Sequence, residues 1–235
     1  MPKDQFRFKQ FTICQDRCAM KVGTDGVALG AWAPVAGVQR ILDIGTGTGL
    51  IALMLAQRSA PECRIVALEL DEAAAAQATE NVAVSPWPQK IRVAQGALQQ
   101  WQDDRYDLIV SNPPYYRHGQ VLPSEARRQA RHTATLSHVE LLEHALRLLL
   151  PTGKLALVLP VAEGRELIAL AAQMGLHLQL CQQLIPKLGK EVNRFLLLFS
   201  REIAKPTWLE SVICTENGEY HESYRQMVAP FYLKL

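Results

Sequence analysis

The 235 residues include 49% hydrophobic and 20% charged side chains, with 25 Lys and Arg against 23 Asp and Glu for a net charge of +2. A chain of this length makes one domain with an extension and buries a core without disulfides or a structural metal. The composition excludes a disordered, collagen-like or coiled-coil chain, and the most apolar stretch, 146–162, is broken by Pro151, Lys154 and Pro160 too soon to span a bilayer.

The first residues lack a signal-peptide core, which predicts a cytoplasmic protein with no membrane partner. Residues 5–13 alternate aromatic and basic side chains, the pattern of a strand or hairpin arm. The five cysteines are odd in number, and no second Cys or His pair stands at zinc-ligand spacing beside Cys14 and Cys18. Reduced thiols and no metal are expected.

From Arg40 onward short β-rich runs alternate with helical ones. Strands are predicted at 41–44, 64–70, 91–95, 107–111 and 154–159. Helices are predicted at 50–58, at 72–82 with Asp71 as N-cap, from the Ser137–Glu140 capping box to Leu150, and at 162–174. Runs 176–185 and 192–201, joined by a short loop, must be antiparallel. The pattern predicts a doubly wound, mostly parallel Rossmann-like sheet of seven strands ending in an antiparallel hairpin. That is the class I methyltransferase architecture. Residues 1–38 form an N-terminal extension, 39–201 the core, and 202–235 a tail apolar enough to pack on it.

Charge is concentrated. Residues 1–21 and 117–132 each carry a net +3, leaving −4 on the rest. Two basic segments on an acidic body suit a local anionic partner.

The strongest local signal is Asp43-Ile44-Gly45-Thr46-Gly47-Thr48-Gly49, between a strand and a helix. Glycines there allow a tight turn and close approach of the backbone to a ligand. The spacing is G-x-G-x-G, not the dinucleotide G-x-G-x-x-G, which opposes an NAD-dependent oxidoreductase. Asp43 suits a ligand with a cationic amino group, such as S-adenosylmethionine. Glu69, closing the second strand of the core, can accept ribose hydroxyls.

The fourth core strand runs into Asn112-Pro113-Pro114-Tyr115. Two prolines fix φ and remove two amide donors. The Asn112 side-chain oxygen and the Pro113 carbonyl then make an acceptor-rich corner for a planar NH₂ group, with Tyr115 to stack on the attached base.

These two motifs resemble those of class I S-adenosylmethionine-dependent methyltransferases acting on NH₂ groups. Residues 20–32, Ala130-Arg131-His132 and the closing Phe231-Tyr232-Leu233-Lys234-Leu235 are similar to flanking elements of the bacterial tRNA1(Val) (adenine-37-N6)-methyltransferases. The resemblance implies methylation of an exocyclic adenine N6 in tRNA, with Asn112, Pro113 and Tyr115 catalytic. It implies cofactor contacts from Asp25, Asp43, Gly45, Gly47, Gly49 and Glu69. Arg117, Arg127, Arg128, Arg131 and His132 are the expected RNA contacts. Ala97 stands where relatives often place an acidic residue for the cofactor's adenine.

Glutamine N5-methyltransferases share the Asn-Pro-Pro-Tyr logic but carry an N-terminal helical domain, for which about forty residues before Arg40 leave no room. Guanine-N2 RNA methyltransferases are opposed only by the flanking elements. DNA adenine methyltransferases need a larger recognition region. An inactive RNA-binding scaffold would not need Asn112.

Overall fold

A computed structural model describes residues 4–113 and 136–235. β1 (Gln5–Arg7) and β2 (Thr12–Cys14) form a separate antiparallel hairpin, with Phe6 opposite Ile13. α1 (Thr24–Trp32) follows. Then come β3 (Arg40–Ile44), α2 (Leu50–Arg58), β4 (Arg64–Glu69), α3 (Glu72–Ala83), β5 (Ile91–Gln95) and β6 (Tyr106–Ser111). The second described stretch holds α4 (His138–Leu148), β7 (Leu149–Pro160), α5 (Val161–Gln173), β8 (His177–Lys187) and β9 (Arg194–Ser200). It closes with β10 (Thr207–Cys214) and α6 (Glu222–Val228).

One sheet runs in the order β10-β8-β9-β7-β6-β3-β4-β5. β5, β4, β3, β6 and β7 are parallel, and β9 runs antiparallel to both β7 and β8. Seven strands are expected from the sequence. The described sheet has eight, because β10 from the tail pairs in parallel with β8 from Thr207 to Cys214. The pairing satisfies backbone groups that an uncovered β8 edge would leave open.

Strand period two divides the core. Ile41, Ile65, Leu108, Val158 and Leu196 point to the side of α1, α2, α6 and the N-terminal hairpin. Leu42, Val66, Ile109, Leu157 and Leu197 point to the side of α4 and α5. Both predicted helix starts are present: Asp71 accepts from the Ala74 amide at 2.8 Å, and Ser137 and Glu140 cap each other's backbone. α4 ends at Leu148 and β7 begins five residues before its predicted start, because Leu149 pairs with Tyr106 ahead of a register shift.

Periodicity alone does not find α1. Residues 26–31 are all buried, so the helix has no polar face for an amphipathic pattern to report. No helix among the described residues is long and apolar enough to cross a membrane. All five cysteines are free thiols.

α1 lies close on α2 because Gly30 leaves room for Met54. A Cβ at Gly30 would come within 2.8 Å of the Met54 sulfur. Gly30→Val should therefore cost about 1–3 kcal/mol of stability, read as a lower urea midpoint with an unchanged denaturant slope.

Candidate active site

The carboxyl ends of β3, β4 and β6 converge where the chain direction across the sheet reverses. This is the place at which open α/β sheets bind ligands. Ser111 is in register with Ile44, and its hydroxyl donates to the Ile44 carbonyl at 2.9 Å. That bond locks the end of β6, and so the start of Asn112-Pro113, to the end of β3.

The glycine loop leaves β3 with Gly45, Gly47 and Gly49 at φ of 69°, 56° and 83°, left-handed values that favour glycine. A Cβ at Gly45 or Gly47 would meet nothing within 4 Å, so both open onto free space. That space is a cavity of about 890 Å³ walled by the loop, Glu69, Asn112, Pro113 and Gly96 to Gln99. Its volume and its glycine cradle fit an extended nucleoside ligand.

Asp43 does not line the cavity among the described residues. It is fully buried, and its Oδ2 accepts from the Thr46 hydroxyl at 2.6 Å and the Ala52 amide at 3.2 Å. The carboxylate read from sequence as facing a cationic ligand group thus braces the loop and the first turn of α2. Its Oδ1 has no partner among the described residues. Burial pushes its pKa up to about 7, against the lowering effect of those two hydrogen bonds.

Glu69 does line the cavity. Its Oε2 accepts from the Gly47 amide at 2.8 Å, and its Oε1 from the Leu70 and Asp71 amides at 2.8 and 3.0 Å. One carboxylate therefore ties the glycine loop to the β4 turn. Asp25 also lines the cavity, ion-paired with Arg194 Nε at 2.8 Å. The Asn112 amide nitrogen donates to the Met20 sulfur at 3.8 Å.

The N-terminal segment supplies a wall that sequence reasoning missed, residues 17–21. Two side chains four apart on α3 hold that segment in place. Asn81 bonds both backbone groups of Cys14 at 2.9 Å and donates to the Thr48 carbonyl at 2.9 Å. Gln77 accepts from the Arg17 amide at 2.9 Å and donates to Asp16 at 2.6 Å. The sequence signal is two amides four apart on one face of an alanine-rich helix, both buried in the structure.

This arrangement can hold a nucleoside beside a planar amine, and comparison with known proteins decides the family. Residues 33–183 match the model described as the methyltransferase small domain. A tRNA1(Val) (adenine(37)-N6)-methyltransferase of Aeromonas salmonicida is 53% identical over 230 residues, 98% of each chain. One from Tolumonas auensis is 52% identical, over 98% of this chain and 97% of that protein. The chain belongs to the tRNA1(Val) (adenine(37)-N6)-methyltransferase family.

A predicted O-methyltransferase from Agrobacterium tumefaciens shares the fold at 18% identity, with a TM-score of 0.67 over 88% of this chain and 96% of that one. Of the residues singled out in this family member, Asn112, Pro113, Asp25, Gly45, Gly47 and Glu69 come together at the cavity. Gly49 lies against Ala78 of α3 and Asp43 beneath the loop. Tyr115, Arg117, Arg127, Arg128, Arg131 and His132 lie outside the described residues. No group of three or more His, Cys, Asp or Glu side chains among the described residues could hold a metal.

The raised pKa of Asp43 has a signed consequence. The folded chain binds its proton more tightly than the unfolded chain, so this stabilising contribution is complete below about pH 4 and is lost as pH rises through about 7. Thermal unfolding between pH 5 and 8 should therefore show a larger fall in Tm for the wild type than for Asp43→Asn. Parallel pH profiles would remove Asp43 as the cause.

Proposed function

We propose that the chain transfers a methyl group from S-adenosylmethionine to the exocyclic N6 of an adenine in tRNA, adenine-37 of tRNA1(Val), the activity for which its relatives are named. One observation carries the reading: the amine-accepting corner Asn112-Pro113 and the nucleoside cradle of Gly45, Gly47 and Glu69 open into one cavity.

When bound, the cofactor supplies a methyl group on a positively charged sulfur. The chain's own residues do the rest. The glycine loop, whose Gly45 and Thr46 amides donate to Leu68 and whose Gly47 amide donates to Glu69, lets the nucleoside approach the backbone closely, and the Glu69 carboxylate accepts from the ribose hydroxyls. The Asn112 side-chain oxygen and the Pro113 carbonyl each accept one N–H of the target amine. An exocyclic amine is a weak nucleophile because its lone pair is delocalised into the ring. Two acceptors drawing on its hydrogens pyramidalise the nitrogen and aim the lone pair at the methyl group. Transfer would form the N–CH₃ bond at the expense of the donor's S–CH₃ bond, and the alkylated nitrogen would release its now acidic proton to solvent. No strong base is required, and alignment of this kind contributes on the order of 7–11 kcal/mol.

Tyr115 would stack on the base, which must leave its own stack to reach Asn112. Arg117, Arg127, Arg128, Arg131 and His132 would hold the phosphates that bend around it. A tRNA substrate makes the cytoplasm the compartment of action.

Asn112→Ala should lower methyl transfer to unmodified tRNA by roughly 10²–10³ while calorimetry finds S-adenosylhomocysteine affinity retained. Gly47→Val should do the reverse, weakening that affinity by placing a branched side chain in the cradle. Near wild-type turnover in Asn112→Ala would sink the mechanism. Mass spectrometry of tRNA nucleosides from cells with and without the protein identifies the modified base.

For the basic segment, replacing Arg127, Arg128 and Arg131 together by Ala should weaken tRNA binding and flatten its salt dependence. Each phosphate left without its arginine lowers the slope by about 0.7 on single-stranded nucleic acid. An unchanged slope in filter binding across a salt series would move the RNA track elsewhere.

A further inference from the structure

The cavity wall beyond Glu69 identifies where a nucleoside base would lie. Glu69 is in register with Gln95, and the Gly96 amide donates to the Glu69 carbonyl at 2.8 Å. Gly96 to Gln99 therefore stand beside Glu69, on the side away from the glycine loop. A ribose held at Glu69 with its sulfur end toward Asn112 presents its base to this stretch.

Gly96, Ala97 and Leu98 offer no polar side-chain atom there. Gln99 does. Asp71, the polar neighbour on the β4 side, also lines the cavity, but its carboxylate caps α3 through the Ala74 amide.

The position of Gln99 is fixed from α4 by two residues seven apart. Arg147 donates to the Trp101 carbonyl at 2.8 Å and the Leu98 carbonyl at 3.4 Å, holding the short turn Leu98–Gln100. Glu140 Oε1 accepts from Gln99 Nε2 at 3.3 Å. The other oxygen of Glu140 accepts from the backbone amide and hydroxyl of Ser137 in the capping box. The hydrogen bonds from Ser137 and Gln99 hold the Glu140 carboxyl below the usual range, so it stays ionised and can only accept. A carboxamide facing a carboxylate must turn its NH₂ toward it. Its carbonyl oxygen is then the atom left for a ligand.

We propose that the Gln99 side-chain oxygen accepts from the 6-amino group of the cofactor's adenine, and that Glu140 is the positioning residue that sets the direction of that carboxamide. Gln99 thereby does, from two residues further on, what an acidic side chain at position 97 would do. The inference rests on the S-adenosylmethionine reading.

The test compares binding of S-adenosylhomocysteine with binding of its analogue lacking the 6-amino group, by calorimetry. The wild type should prefer the amino compound by about tenfold, the worth of one good hydrogen bond. Gln99→Ala should reduce the preference to near unity while still binding both. Glu140→Lys presents only donors, so the carboxamide should flip, set its NH₂ against the ligand amine and reverse the preference. A merely structural role for Glu140 would weaken both ligands alike.

Wild-type protein that binds neither compound overturns the cofactor reading and this proposal with it. Wild-type protein that binds while Gln99→Ala keeps the tenfold preference overturns the proposal alone. Loss of preference in Gln99→Ala without reversal in Glu140→Lys overturns the part assigned to Glu140.

Discussion

Asp43 carries its carboxylate at the end of a buried strand, and everything at the site hangs on where that carboxylate is bonded. Through Thr46 and Ala52 it fixes the glycine loop to the first turn of α2. The turn is left-handed at Gly45, Gly47 and Gly49, a path that other residues follow only with strain. A buried acid in this place costs desolvation, which the raised pKa reports. The fold tolerates that cost to hold a loop that opens onto the cavity at Gly45 and Gly47, where no side chain intrudes.

From this anchor the site is assembled by bonds between elements distant in sequence. Glu69 ties the loop to β4, and Ser111 ties β6 to β3. Asn81 then bridges the loop's Thr48 to Cys14 of the N-terminal segment, which lies 67 residues from Asn81 in sequence. The segment that closes the cavity is thus held by the same helix that packs behind the loop. Cys18, inside that segment, has its thiol pushed up to about 11, burial first and the charges of Glu69 and Asp71 next. It remains protonated near neutral pH and acts as wall rather than nucleophile.

The chemistry assigned to this arrangement needs acceptors and alignment, not a strong base. The polar groups are distributed accordingly. Glu69 stands at one end of the cavity beside the glycine loop, the Asn112-Pro113 corner at the switch between β3 and β6, and Gln99 beyond β5. Each is seated on the end of a strand or held by a helix, which keeps its direction fixed.

Much of this was legible in the chain. Short β-rich runs alternating with helical ones marked the strands of the parallel core, the Asp71 cap and the Ser137–Glu140 box marked two helix starts, and glycine spacing with Asn112-Pro113 marked residues that line one cavity. These signals are local, because turn geometry, capping and strand alternation are decided within a few residues. α1 was not legible on its own periodicity, since a helix buried all round has no amphipathic stripe. Nor was β10, whose eight residues become a strand by pairing with β8. The placement of Asp43 under the loop rather than in the cavity, the wall of residues 17–21 and the Glu140–Gln99 contact share one physical origin. Each depends on which polar groups the folded sheet and its helices bring within hydrogen-bond reach, and only the tertiary structure decides that.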